Sequence, residues 1–168
     1  DWGTSMTCIA MKWHPYFRRY QNQYRTVLTI HNLAHQGILK PEVLEGWGLN
    51  KAFHMEGLEY YDSVNLLKGA IITSDAVVTV SPRYASEITH ESMGMGLEGV
   101  VKENISKVSG ILNGLDTDYW NPASDSFLPS NYDRKNMSGK KICRSALFEK
   151  TGWEENGSPL ITMVGRLY

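Results

Sequence analysis

What this sequence has little of narrows its reading first. Cysteine is scarce: two residues in 168, Cys8 and Cys143, with no CxxC spacing between them. That excludes a disulfide-stapled scaffold and a CxxC-type zinc site, and leaves two buried thiols in a reducing compartment as the expectation. An excess of one charge is missing too, since 17 Lys and Arg against 18 Asp and Glu give a net charge of -1. Nothing electrostatic therefore points to nucleic acid or an anionic membrane as a partner. No run of about 18 apolar residues is present to span a bilayer, and DWGTSMTCIAMKWHP at the amino end lacks the basic-then-apolar succession of a secretory leader. Internal repeats and low-complexity tracts are absent as well.

What is there alternates in period, as a βαβ chain does. Four apolar runs predict strands: TVLTI at 26–30, AVVTV at 76–80, KVSGIL at 107–112 and PLITMV at 159–164. The two most β-branched runs are apolar on both faces, which suits parallel strands covered above and below by helices. Between them, YDSVNLLKGAIITS predicts a helix with Val64, Leu67 and Ile71 on one stripe. PRYASEIT predicts another, capped by Ser81 with Pro82 in its first turn. GLEGVVKENIS, with Leu97, Val100, Val101 and Ile105, and KKICRSALFEKTGW, with Ile142, Leu147 and Phe148 and a stop at Gly152, complete the set. The fold class expected is α/β, a Rossmann-like parallel sheet with covering helices.

From Asp116 to Ser138 the rhythm breaks into prolines, asparagines and aspartates, which marks a crossing between domains. The chain starts without methionine at a loop-and-helix junction and its last predicted strand runs out at GRLY. A parallel strand needs neighbours and covering helices, so the expectation is a piece of a larger protein.

In open parallel sheets, ligands gather at the carboxyl ends of the strands. Three of the four predicted strands end in polar groups beside a glycine or turn: His31 and Asn32, Asn113 and Gly114, Gly165 and Arg166. Each has a plainer reading. His31 and His35 could be core imidazoles, or a metal pair if the stretch were helical, although Gly37 and the preceding strand argue for a loop. Asn113-Gly114 could be a simple turn, and Arg166 a surface arginine, though a guanidinium fork there suits a diphosphate. GMGLEG at 94–99 lacks GxGxxG spacing and a preceding strand, so it is expected to be a helix entry rather than a phosphate loop.

Together, TIHNLAHQG, the stretch HMEGLEYYDSVNLLKGAIITSDAVVTVSPRYASEI, GILNGLDTDYWNP and ITMVGRL resemble, in order, the blocks of glycogen and starch synthases, the ADP-glucose-type glucan glucosyltransferases. The resemblance implies part of a two-domain GT-B glycosyltransferase. It makes 1–115 the later part of the amino-terminal, acceptor-side domain, 116–138 the interdomain crossing and 139–168 the truncated start of the donor-side domain. By the same resemblance His31, Asn113 and Asp1 line the catalytic cleft, and Arg166 neutralises the donor diphosphate. Trp2, Glu56 and Tyr60 are expected on the acceptor side. The family works without a carboxylate nucleophile, so Glu56, Glu59 and Asp62 are not nominated as a catalytic pair. No cofactor or metal is implied, ADP-glucose being a substrate. The implied partners are ADP-glucose, an α-1,4-glucan and the missing parts of the same polypeptide, in bacterial cytoplasm or a plastid stroma. Two rival readings stand beside this: a non-catalytic glucan-binding module, and a related glycosyltransferase with a different sugar-nucleotide donor.

Overall fold

The computed structural model describes residues 1–50 and 57–165. They fall into two compact units, Asp1–Asn113 and Gly114–Tyr168. In the first unit the order is α1 (Trp2–Trp13), β1 (Val27–Ile30), β2 (Ile38–Leu39), α2 (Val43–Gly46), β3 (Glu59–Tyr60), β4 (Ser63–Asn65), α3 (Leu66–Thr73), β5 (Ala76–Thr79), α4 (Pro82–Glu87), α5 (Glu91–Gly94), α6 (Glu98–Glu103) and β6 (Val108–Gly110). Among the described residues the second unit has one helix, α7 (Ser138–Thr151). Among the described residues no helix is long and apolar enough to cross a membrane.

The three apolar runs of the first unit form one parallel sheet in the order β1-β5-β6. Register pairs Val27 with Ala76 and Ile30 with Thr79, then Val77 with Val108 and Thr79 with Gly110. Because all three strands run the same way, their carboxyl ends share one edge. Leu28, Ile30 and Val77 point into a core closed by Leu33, Leu67, Ile71, Ile88, Leu97 and Val101. A second cluster gathers Ile9, Leu44, Leu49, Leu58, Val64 and Leu66. The expectation of two covered faces fails at β1, where alternate residues face solvent and Val27 is 60% exposed.

The sheet is fastened at the other edge by Thr26 and Asp75. The Thr26 N–H and hydroxyl both donate to Asp75 Oδ2, at 2.7 and 3.0 Å, and the Asp75 and Ala76 amides return to the Thr26 carbonyl. The Asp75 pKa lies below its ordinary value, chiefly because the Thr26 N–H favours the ionised carboxylate. A depressed carboxyl pKa stabilises the fold above the unfolded-state value, and that contribution is lost as pH falls toward the folded-state value. Asp75→Asn is therefore expected to flatten the fall in Tm of the intact protein between about pH 5 and pH 3 in a calorimetric pH series.

The helix expected over YDSVNLLKGAIITS begins later. Tyr61 and Asp62, at φ 48° and 61°, make the tight turn of a hairpin between β3 and β4. β-branched Val64 is fully buried and pairs with both Leu39 and Glu59, so it serves the small antiparallel sheet β2-β4-β3 instead. Asn65 then stops the strand and caps α3, its Oδ1 accepting the Lys68 N–H at 2.9 Å. The Ser81 cap of α4 forms as expected, its Oγ accepting the Tyr84 N–H at 2.9 Å.

In the second unit α7 ends at left-handed Gly152 (φ 69°), as its sequence predicts. The stretch before it holds neither helix nor strand. Its acidic and amide side chains close local turns: Asp116 Oδ1 accepts from Tyr119, Asp125 Oδ1 from Phe127, and Asp133 Oδ1 from Lys135 and Asn136. The strand expected at 159–164 does not form, and Val164 is 99% exposed. A strand needs a ladder partner, and the described residues of this unit supply none.

Candidate active site

The carboxyl edge of the parallel sheet carries a loop, 31–37, whose backbone is held along most of its length. The β1 ladder ends at Ile30, and the next two amides need new acceptors. Asp1 provides them: its Oδ1 accepts from His31 N–H at 2.8 Å and Asn32 N–H at 3.3 Å. The Leu33 N–H donates to the Tyr84 hydroxyl at 3.0 Å, and the Ala34 N–H to Asn32 Oδ1 at 2.9 Å. At the far end the Gln36 and Gly37 carbonyls accept from Leu67 and Leu66 of α3.

Between these backbone ties lies a buried amide network. Asn65 Nδ2 donates to Gln36 Oε1 at 2.6 Å, and Gln36 Nε2 donates to the Met95 carbonyl at 2.9 Å. Both side chains are buried, so each polar atom paired here avoids the desolvation cost of an orphan. Gly37 is left-handed (φ 65°), and a Cβ built on it would lie 2.6 Å from the Trp2 indole. Trp2 thus packs on the loop's end while Asp1 holds its beginning.

The site residues expected from sequence are placed as follows. His31 stands exposed on this fixed backbone, with Asp1 and Trp2 beside the same loop. His35 is exposed as well, which overturns the core-imidazole reading, and the stretch is a loop rather than a helix. Among the described residues no three His, Cys, Asp or Glu are grouped to hold a metal ion. Asn113 follows β6 at the same sheet edge, in an exposed run that pairs once more through Ile111 N–H to the Thr79 carbonyl at 2.9 Å.

Tyr60 is not part of that edge loop. It is half-buried against the main core, with its hydroxyl crowding Gly96, and burial raises its pKa. With Glu59, Tyr61, Lys68, Gly96 and Val100 it lines a groove of about 290 Å³. Its neighbour Glu59 accepts the Asp62 N–H at the hairpin turn, a structural task. Met95 and Gly96 of the GMGLEG stretch turn left-handed just before α6, and no strand precedes them. Glu56 and Arg166 lie outside the described residues.

Three participants carried little sequence signal: Tyr84, Gln36 and Asn65. A serine cap at a strand end fixes the residue three positions on near that edge, which was the available clue for Tyr84. Gln36 and Asn65 pair across 29 positions, and no local pattern announces such a contact.

A family model for the starch synthase catalytic domain matches residues 1–103. Glycogen synthase of Thermus thermophilus is 49% identical over 144 residues, covering 84% of this chain and 32% of that protein. Glycogen synthase of Myxococcus xanthus is 39% identical over 175 residues, covering 99% of this chain and 35% of its own length. Among solved structures, the catalytic domain of starch synthase IV from Arabidopsis thaliana, bound to ADP and acarbose, is similar at a TM-score of 0.76 and 35% identity. That similarity covers 94% of this chain and 33% of the other. The chain spans about a third of the length of these relatives.

Proposed function

The chain belongs to the starch synthase catalytic domain family, and from that premise we propose that the whole protein is a retaining glucosyltransferase extending an α-1,4-glucan from ADP-glucose. One observation carries the reading: His31 stands exposed at the end of β1 on a backbone clamped by Asp1, at the sheet edge that also presents Asn113. The domain assignment follows from the same premise. Residues 1–115 supply the acceptor-side wall, 116–138 cross over, and 139–168 begin the donor side. The Arabidopsis neighbour carries ADP, which is what remains of ADP-glucose once its glucosyl group has left.

Glucosyl transfer passes through an oxocarbenium-like state while negative charge collects on the departing diphosphate. In this reading His31 and Asn113 contact the transferring glucose, where fixed polar groups orient the ring and meet its developing charge. In the same reading Arg166 supplies the guanidinium that neutralises the diphosphate. The acceptor hydroxyl attacks the anomeric carbon from the face the diphosphate leaves, and the leaving phosphate takes its proton, so the α configuration is kept with neither a carboxylate nucleophile nor a separate general base. By this reading, too, Trp2 presents an aromatic face to the glucan, and Glu56 and Tyr60 are further acceptor-side contacts. The reaction proposed uses no cofactor or metal, because Arg166 meets the leaving charge. Bacterial cytoplasm or plastid stroma is the compartment that fits.

A transition state held by one wall of a cleft remains open to water. Residues 1–168 alone are therefore expected to move no glucose from ADP-glucose to glycogen above a blank in a radiolabel assay. The donor is tested in the intact protein by competing ADP-glucose against UDP-glucose. Preference for ADP-glucose by at least about tenfold in kcat/KM is expected. Preference for UDP-glucose overturns the donor assignment and leaves glucosyl transfer standing. Saturable glucan binding without any transfer by the intact protein favours a binding module instead.

A further inference from the structure

The hydroxyl of Tyr84 accepts the Leu33 N–H at 3.0 Å, two residues beyond His31 and 51 away in sequence. Leu33 is fully buried, so its side chain anchors in the core while its amide has already left the β1 ladder. Tyr84 is itself set by the Ser81 cap that starts α4 directly after β5, and its ring packs on the main core. The hydroxyl therefore ties the end of β1 to the element that follows β5. On one side of this tie Asp1 holds His31 and Asn32; on the other, Gln36 is locked to Met95 and Asn65. Tyr84 thus holds the residue directly after the pair that Asp1 holds, and so fixes the direction in which the chain leaves His31 and Asn32.

We propose that Tyr84 is a positioning residue for glucosyl transfer: through Leu33 its hydroxyl sets where the His31 imidazole stands at the sheet edge. This rests on the function proposed above. The hydroxyl touches no reacting atom, and its effect runs through the backbone of a loop that has few other freedoms. A displacement of about 1 Å at a reacting group is enough to slow transfer strongly. A purely structural tyrosine would satisfy the Leu33 amide and influence stability alone.

Tyr84→Phe keeps the ring in the core and deletes the acceptor. In the intact enzyme, kcat with ADP-glucose and a malto-oligosaccharide is expected to fall about tenfold, with KM for ADP-glucose changed by less than about twofold. The control is Ile71→Val, a fully buried change in the same core with a comparable loss of Tm that removes no hydrogen bond of the loop. It is expected to leave kcat unchanged. A second readout does not depend on turnover: with histidine isotopically labelled, the imidazole resonances of His31 shift in Tyr84→Phe and stay put in Ile71→Val. If kcat is unchanged and the His31 signals do not move, or if both variants lose kcat equally, Tyr84 is structural and the proposal is overturned. If the unaltered enzyme transfers no glucose, the function proposal falls by itself; shifted His31 signals then support the positioning role, and unshifted ones overturn it.

Discussion

His31→Ala in the intact enzyme is expected to lower kcat by about 100-fold or more while the Kd for ADP-glucose rises less than about threefold. The split follows from where the ring stands. The His31 backbone is held by Asp1, and the loop beyond it by Tyr84 and Gln36, so truncation to alanine removes an exposed imidazole and leaves its support intact. A group that meets the transferring sugar acts on the transition state more than on the bound donor, most of whose binding energy comes from the nucleotide and diphosphate. Steady-state kinetics together with donor titration of the variant separate the two quantities. Equal losses in kcat and donor affinity, or a Tm lowered by several degrees, would assign His31 to folding.

Gly110→Ala is expected to be the most damaging single-methyl change in the first unit, destabilising by about 3 kcal/mol or more and abolishing most soluble yield. A Cβ at Gly110 would stand 2.1 Å from the Ser81 carbonyl oxygen and 2.3 Å from the Pro82 nitrogen. These are backbone atoms at the cap of α4 and have no rotamer with which to retreat. The strain would fall on the sheet edge itself, since Gly110 pairs with Thr79 and Ser81 begins the helix that carries Tyr84. Gly99→Ala is the matched control: nothing lies within 4 Å of its added Cβ, and it sits in α6. There, the lower backbone entropy of alanine stabilises by about 0.5–1 kcal/mol. Urea unfolding of both variants measures the contrast, and similar losses in the two would refute the steric account.

Strong local period made the parallel sheet legible in the sequence. TVLTI, AVVTV and KVSGIL each carry enough β-branched or apolar residues to stand out, and Ser81-Pro82 announces α4 unaided. What sequence misplaced depends on partners distant in the chain. Val64 sits at helical spacing from Leu67 and Ile71, yet pairing with Leu39 and Glu59 draws it into a strand. PLITMV has strand composition, but among the described residues it meets no strand to pair with. The sequence marks α1 only as a loop-and-helix junction, because its glycine, threonines and serine weaken any helical stripe even though Ile9 packs in the core. At the candidate site, the strand-end rule nominates His31 and Asn113, which stand exposed beyond β1 and β6, and the family resemblance nominates Asp1 and Trp2, which adjoin the 31–37 loop. The side chains that hold the loop, Tyr84 and the Gln36–Asn65 pair, depend on contacts over 51 and 29 residues, which periodicity does not encode.

The central claim is that this sheet edge serves retaining glucosyl transfer onto an α-1,4-glucan. The most direct measurement follows the anomeric proton by NMR as the intact protein extends maltoheptaose with ADP-glucose. The account predicts a new α-1,4-linked glucose, with the α configuration of the donor kept in the product. A β-linked product, or no lengthening of the oligosaccharide, would contradict it.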